Sequence, residues 1–496
     1  MKYVSTRGGE AVSPSLAILR GIAPNGGLYV PESIPALSAE DFQKLLPMSY
    51  AQRAAEILGL FLTDFTREEL MSYTAAAYSA EKFPGGAAPL VKVEEDTYIL
   101  ELFHGPTCAF KDMALQILPY LMTASAKKNN ETENICILVA TSGDTGKAAL
   151  EGFADVPGTS IFVYYPADGV STAQKLQMIT QKGQNVGVSA VYGNFDDAQT
   201  GVKKIFADAD FAALLKENHV RLSSANSINW GRLVPQVVYY VSAYLDAVKE
   251  GWITYGEGVD VAVPTGNFGN ILACLIAKKM GLPVDRLICA SNKNNVLAEF
   301  IETGVYNKNR EFHTTSSPSM DILISSNVER LLWFLAGGNS ADTAEKMQKL
   351  NSAGIYELDE GMLAALQADF EGGWASEEAG YEIIRRYFEG NGYLSDTHTA
   401  VALSLLDAKR QKEGNRKKTI VASTASPFKF ASSVLFALDG VERESTPQLI
   451  DELAAKTGVE APAPLVGLDK REIRFAGTVE KDAMRPPVLQ MLGVEQ

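Results

Sequence analysis

From residue 97 onward, short β-branched runs alternate with longer stretches of helical spacing, and this alternation constrains the fold more than any other feature of the chain. The runs are Ile135–Ala140, Ser160–Tyr165, Val186–Val191, Val220–Ser223, Val259–Val263, Arg286–Ala290 and Thr419–Ala422. Between them, residues 171–182, 196–217, 229–249, 270–280 and 396–411 read as helices. A strand followed by a crossover helix re-enters the sheet parallel to itself, so the pattern predicts parallel sheets with helices packed on them. The runs form two clusters, 115–230 and 255–440. The first 90 residues read as mostly helical, with helix formers at 51–60 and at 64–79 and a break at Phe83-Pro84-Gly85-Gly86. The expected fold is therefore α/β, with two doubly wound α/β domains after a helical N-terminal one. The expected division is 1–92, 93–235 and 236–496.

Composition narrows the function. The chain has 496 residues, 46% of them apolar, and a net charge of −15. That charge argues against a general nucleic-acid binder or a basic membrane-surface protein, but not against a local basic pocket. No run reaches the ~18 apolar residues of a membrane span, and the N-terminus lacks an apolar leader, so a cytoplasmic protein is the expectation. The four cysteines, Cys108, Cys136, Cys274 and Cys289, make no C-x-x-C pair. Cys136 and Cys274 sit in apolar runs and read as buried thiols of a reducing compartment. His104, His219, His313 and His398 show no metal-ligand spacing, and no metal is expected. There is no G-x-S-x-G elbow for a serine hydrolase.

Several segments after strands carry chemistry. Gly105-Pro106-Thr107 makes a turn, and Ala114, Ile117, Leu118 and Leu121 then repeat at helical spacing, which puts Lys111 near a helix start. Backbone partial charge there disfavours the ammonium form, as imine chemistry requires. An isolated lysine in such a place is ordinarily a surface residue; the neighbouring motifs change that reading. Thr141-Ser142-Gly143-Asp144-Thr145-Gly146 leaves the strand Ile135–Ala140 ahead of a helix expected from Lys147, and suits a carboxylate. It is not a Walker loop, because Thr141 and Ala148 stand where glycine and Ser or Thr are needed. Pro264-Thr265-Gly266-Asn267-Phe268-Gly269-Asn270 leaves Val259–Val263 ahead of a helix expected from Ile271 and suits a phosphate. It lacks the dinucleotide G-x-G-x-x-G pattern, which argues against a nicotinamide enzyme. Asn226-Ser227-Ile228-Asn229-Trp230-Gly231-Arg232 gathers amide, hydroxyl and guanidinium groups fit for a phosphate monoester. Ser227 or Asn229 serving only as a helix cap is the plainer reading. Thr424, after Thr419–Ala422, is uninformative by itself.

Taken in order, these motifs resemble those of the threonine synthase family, long form with an extra N-terminal domain, among the fold-type II (tryptophan synthase β-like) pyridoxal-phosphate (PLP) enzymes. The resemblance also rests on Val4-Ser5-Thr6-Arg7-Gly8, on residues 23–31 and on Ser317-Pro318-Ser319-Met320-Asp321-Ile322-Leu323, and it weakens beyond residue 440. It implies PLP as cofactor and Lys111 as the Schiff-base lysine and proton shuttle. It implies Gly266, Asn267, Phe268, Gly269 and Asn270 around the cofactor phosphate, Thr424 at the pyridine nitrogen and Asp144 near the phenolic oxygen. Ser142 and Thr145 match positions for the substrate carboxylate, and Asn226, Ser227 and Arg232 match positions for its phosphate. Two residues depart from the family pattern: Ser426 stands where histidine is common, and Cys108 where a bulky apolar residue is.

The reaction implied is that of a lyase acting on phosphates: O-phospho-L-homoserine and water give L-threonine and phosphate. A phospho-lyase releasing 2-oxobutyrate from the same substrate is the near alternative. An inactive binding protein on the same scaffold is the distant one, disfavoured by the intact Lys111. The expected partner is the small-molecule substrate, with the chain a monomer or small homo-oligomer.

Overall fold

The runs expected as strands are strands, and their burial explains their composition. In the computed structural model, which describes residues 1–141, 143–167, 170–414 and 416–495, Val186–Val191 and Val259–Pro264 are buried at every position. A strand covered on both faces has no solvent side on which polar residues could alternate. The larger sheet has six strands in the order Phe370–Trp374, Val284–Ser291, Val259–Pro264, Thr419–Ser423, Thr97–Glu101 and Leu90–Glu94. It is parallel except for the hairpin of the last two. The smaller sheet has five parallel strands in the order Thr478–Val479, Val186–Val191, Thr159–Pro166, Asn134–Ala140 and Val220–Ser223.

The expected linear division into domains does not follow the sheets. Leu90–Glu94 and Thr97–Glu101 precede the first α/β cluster in the chain but lie in the larger sheet. At the other end, Thr478–Val479 returns to the edge of the smaller sheet beside Val186–Val191. The following helix, Arg485–Leu492, puts Val488 and Leu489, with Met484, into one buried cluster with Phe162, Tyr164 and Val191. Neither segment had a sequence signal, because a hairpin edge and a two-residue strand break the strand–helix rhythm. The helix expected over 196–217 is two, Phe195–Ala207 and Ala209–Glu217. Asp208 takes an extended conformation between them and caps the second by accepting from the Phe211 N–H at 3.0 Å.

The N-terminal segment contains the expected helices, Tyr50–Phe61 and Arg67–Ala77, and also pairs Tyr3–Ser5 with Tyr29–Pro31. It is pinned to the rest by charge. Arg7 grips Glu329 with two parallel bonds of 2.9 and 2.8 Å, and the Thr6 hydroxyl donates to the same carboxylate at 2.5 Å. The fully buried Arg330 donates to the carbonyls of Tyr29 at 2.9 Å and Ile228 at 2.5 Å, and to Asn327 Oδ1 at 2.5 Å. The helix Trp230–Lys249, buried along most of its length, packs against both Tyr50–Phe61 and Gly269–Lys279 and forms the spine joining the layers. Among the described residues no helix is long and apolar enough to cross a membrane.

The returning tail is open to test. Val488→Asp sets an unpaired carboxylate in the apolar cluster with Phe162 and Tyr164, at a cost of roughly 2–5 kcal/mol. A thermal melt should show a clearly lowered Tm; a melt identical to the parent would mean the tail does not pack there.

Candidate active site

The Lys111 segment is fixed by a neighbouring strand rather than by a long helix. Lys111 precedes a helix of four residues, Asp112–Leu115, and helix resumes only at Leu118–Lys128. Pro119 causes the break, having no N–H for the Leu115 carbonyl. The dipole of a long helix therefore cannot explain a poised amine. Burial pushes the Lys111 amine down to about 8; the Asp144 carboxylate opposes this, and the Lys429 and Arg232 cations add to it. At pH 7 about one amine in ten is then neutral. Its Nζ donates to Ser319 Oγ at 3.4 Å. The Ser319 N–H donates to His398 Nε2 at 3.2 Å, so the proton of this imidazole sits on Nδ1, 2.7 Å from Asp396. His398 is buried and holds a loop in place.

The chain on either side of Lys111 is laced to the segment after Thr419–Ser423. The Leu102 N–H donates to the Ser423 carbonyl at 3.0 Å, Phe110 N–H to Thr424 at 2.8 Å, and Ser426 N–H to Cys108 at 3.1 Å. Ala109 and Ala425 bridge between them. Thr424, anonymous in sequence, is thereby fixed beside the lysine. Cys108 adopts a φ of 59°, unusual for a side chain with a Cβ, and its thiol is pushed up to about 12 by burial, which makes it inert. All four cysteines are buried and free, as expected for Cys136 and Cys274.

The first glycine loop is held from within. Thr141 Oγ1 accepts from the N–H groups of Gly143 and Gly146, both at 3.0 Å. Ser142 lies outside the described residues. The helix begins at Asp144 rather than at Lys147, so Asp144 and the half-buried Thr145 occupy its first turn. Asp144 is buried; burial opposes its charge, but Lys429 and Lys111 hold its carboxyl well below the usual range. Lys429 Nζ lies 2.6 Å from Asp144 Oδ1, and Gln174 Nε2 donates to the same oxygen at 2.8 Å.

The second glycine loop has the carbonyls of Gly266 and Asn267 engaged by the segment that follows Ser319. The Gly266 carbonyl accepts from Ser325 Oγ at 2.8 Å, and that of Asn267 from the Asn327 N–H at 3.2 Å and Nδ2 at 3.0 Å. The helix starts at Gly269, two residues before the expected Ile271, with Phe268 as its N-cap at a left-handed φ of 61°. Its first N–H groups have no intrahelical partner. Asn270 Oδ1 accepts from the hydroxyls of Tyr239, at 2.7 Å, and Tyr240. Asn270 Nδ2 is buried with no partner among the described residues.

Arg232 is a buried cation whose charge acts on Lys111. It lies in the first turn of Trp230–Lys249, buried, and donates to the Ala225 carbonyl, while its Nε has no partner among the described residues. Burial pushes its guanidinium down to about 10. Ser227 is tied to the second loop, its carbonyl accepting from Asn327 Nδ2 at 3.3 Å. Asn226 is exposed, and Asn229 is the helix cap, accepting from the Gly231 N–H at 2.9 Å. Sequence reasoning assigned no role to Ser319, Asn327 or Lys429. Lys429 stands between two phenylalanines, and that flanking is the one local sign of its burial. A cleft of about 1530 Å³ lies across the Lys111 segment, walled by His104, Cys108, Gln177, Ser426 and Phe428 among others. Lys111, Asp144, Arg232 and Asn270 do not line it.

A family model described as "Threonine synthase N terminus" matches residues 2–78, and one described as "Pyridoxal-phosphate dependent enzyme" matches residues 83–424. Threonine synthase of Methylobacillus glycogenes is 38% identical over 482 residues, covering 92% of this chain and 98% of that one. The chain belongs to the threonine synthase family of pyridoxal-phosphate dependent enzymes. The PLP-bound threonine synthase of Brucella melitensis superposes with a TM-score of 0.88 at 36% identity, covering 100% of both chains. Human "Threonine synthase-like 1" is 41% identical over 434 residues, 86% of this chain, and the match spans 58% of that relative's length. The fold is thus fold-type II, and its cofactor is PLP.

The residues present fit that cofactor. A phosphate would satisfy the orphaned Asn270 Nδ2 and the free N–H groups at the start of Gly269–Lys279. An amine lowered to about 8 suits an aldehyde. Close packing sets the loop: a Cβ on Gly266 would stand 2.3 Å from the Ser319 carbonyl oxygen. Gly266→Ala must therefore displace backbone that holds both the loop and the partner of Lys111. Equilibrium titration should show PLP affinity reduced at least ~10-fold, about 1.4 kcal/mol; an unchanged Kd would remove the loop from the cofactor site.

Proposed function

We propose that the chain is a threonine synthase, converting O-phospho-L-homoserine and water to L-threonine and phosphate. The observation that carries this reading is Arg232, a buried guanidinium with no carboxylate partner among the described residues, close enough to Lys111 to depress its basicity. A buried cation left with a carbonyl as its protein partner is costly unless an anion arrives. The cradle at Gly266, Asn267, Phe268, Gly269 and Asn270 accounts for one phosphate. Arg232 accounts for a second, which this substrate brings and a non-phosphorylated amino acid does not.

In this reading the bound cofactor supplies an electron sink for the carbanion formed at Cα. Lys111 is the base: its amine takes the Cα proton, gives it up within the site, and takes one from Cβ as phosphate leaves from Cγ. That proton goes to Cγ, which becomes the methyl group. Water adds its hydroxyl at Cβ with its other proton leaving on the phosphate, and Cα regains its proton. Ser319 orients that amine through its hydroxyl. Arg232, with Asn226 and Ser227 beside it, stabilises the phosphate leaving from Cγ by charge and by hydrogen bonds. Ser142 and Thr145 hold the substrate carboxylate at the first glycine loop. Thr424, a neutral hydroxyl, would hold the pyridine nitrogen of the cofactor, and Asp144 would lie toward its phenolic oxygen.

Product analysis decides between the two reactions open to this substrate. Threonine and phosphate should appear in equal amounts with little 2-oxobutyrate; oxo acid and ammonia in excess would establish a phospho-lyase. Lys111→Ala should abolish turnover, and borohydride should fix a pyridoxyl label on Lys111 in the parent; a label on another lysine defeats the assignment. Arg232→Gln should lower kcat/KM by roughly 10- to 200-fold, the worth of a charged hydrogen bond, with PLP content unchanged. Inhibition by phosphonate analogues should weaken far more than inhibition by analogues lacking that group. Equal weakening, with a lowered Tm, would make Arg232 a brace for its helix.

A further inference from the structure

Three charged side chains, Asp144, Arg232 and Lys429, act on Lys111, and Lys429 has no part in the chemistry above. Lys429 is buried, with its side chain fully enclosed. It follows the strand Thr419–Ser423, but its Nζ reaches two other elements: Asp144 Oδ1 at 2.6 Å, and the Thr107 carbonyl at 2.9 Å. Thr107 is itself braced, its N–H donating to Asp112 Oδ2 at 2.8 Å and its hydroxyl to Oδ1 at 2.7 Å. One ammonium group thus ties the turn before Lys111 to the carboxylate whose charge acts on Lys111.

Burying a lysine is expensive, and a hydrophobic residue of similar length would ordinarily serve packing better. The charges suggest what is gained. Asp144 from its helix, Lys429 from the turn after Thr419–Ser423 and Arg232 from the spine helix all act on the Lys111 amine. The other faces present Ser319, which is uncharged, and behind it the Asp396-paired His398. Asp112, on Lys111's own element, is bonded to Thr107. Unpaired, Asp144 would draw a proton onto Lys111. We propose that Lys429 is a positioning residue: by pairing with Asp144 it withholds that carboxylate's charge from Lys111, and so keeps the amine free to attack an aldehyde. This rests on Lys111 being the lysine that bonds the cofactor.

The test separates the two claims. Full-length protein freed of cofactor is mixed with pyridoxal, which lacks the phosphate. The Lys111 nitrogen bonds the aldehyde carbon, water leaves, and borohydride supplies hydride to fix the product. Rate is followed against pH, and the labelled peptide is mapped. With Lys429→Met, the midpoint of the profile should rise by about one pH unit, the low end of the effect of an opposite charge within ~4–6 Å. The rate at neutral pH should then fall by about tenfold. Lys429→Arg should restore the parental profile, and Asp144→Asn should move the midpoint down. A purely structural role for Lys429 predicts a lowered Tm with the midpoint unmoved, which overturns the proposal. Should Lys429→Met fail to fold, Asp144→Asn decides: an unmoved midpoint means the carboxylate does not act on Lys111. A label on any lysine other than Lys111 instead overturns the cofactor assignment.

Discussion

The rest of the site depends on backbone pairing between the segment that carries Lys111 and the segment that carries Thr424. Thr97–Glu101 and Thr419–Ser423 are parallel neighbours in the larger sheet, and Val259–Pro264 lies on the other side of Thr419–Ser423. Parallel strands release their following loops at the same sheet edge. Three loops from distant parts of the chain therefore emerge side by side: residues 102–111, 265–270 and 424–429. Hydrogen bonds from Leu102, Phe110 and Ser426 continue the ladder beyond the strands, so the lysine and the threonine hold one register. Ligands of open α/β sheets lie beyond the carboxyl ends of the strands for this reason.

Charge organises what the ladder positions. Lys111, Arg232 and Lys429 gather with Asp144 as the carboxylate that acts on Lys111. Such an excess of cations is unfavourable in a low dielectric and favours anionic ligands. A further buried guanidinium, Arg330, works differently. Carbonyls and an amide satisfy it, and it joins the N-terminal segment at Tyr29 to Ile228 and to Asn327. Asn327 in turn supports the Asn267 carbonyl and that of Ser227. The N-terminal segment thus reaches both the Gly266–Asn270 loop and the Asn226–Arg232 segment through two residues.

Much of this was readable in the sequence, and the reasons differ by residue. The buried strands announced themselves as β-branched runs, because a strand covered on both faces has no polar positions. The loops at 141–146 and 264–270 were readable because their glycines and hydroxyls act locally, through backbone conformation and helix starts. Their exact starts were not: the helices begin at Asp144 and Gly269, where the cap is set by Gly143 and by Phe268 in a left-handed conformation. The lowered basicity of Lys111 was expected, but for the wrong cause. A short helix broken by Pro119 contributes little; burial and neighbouring charges do the work.

The sequence by itself determined the α/β class and the placing of Lys111, Arg232 and the two glycine loops at strand ends and helix starts, because each depends on residues close together in the chain. Tertiary structure alone decided that Ser319 meets Lys111, that Lys429 pairs with Asp144, and that residues 90–101 and 478–479 join sheets other than the expected ones. Those outcomes depend on which strands lie side by side. Strand order reflects how whole layers bury their faces against each other, and no local pattern of residues encodes it.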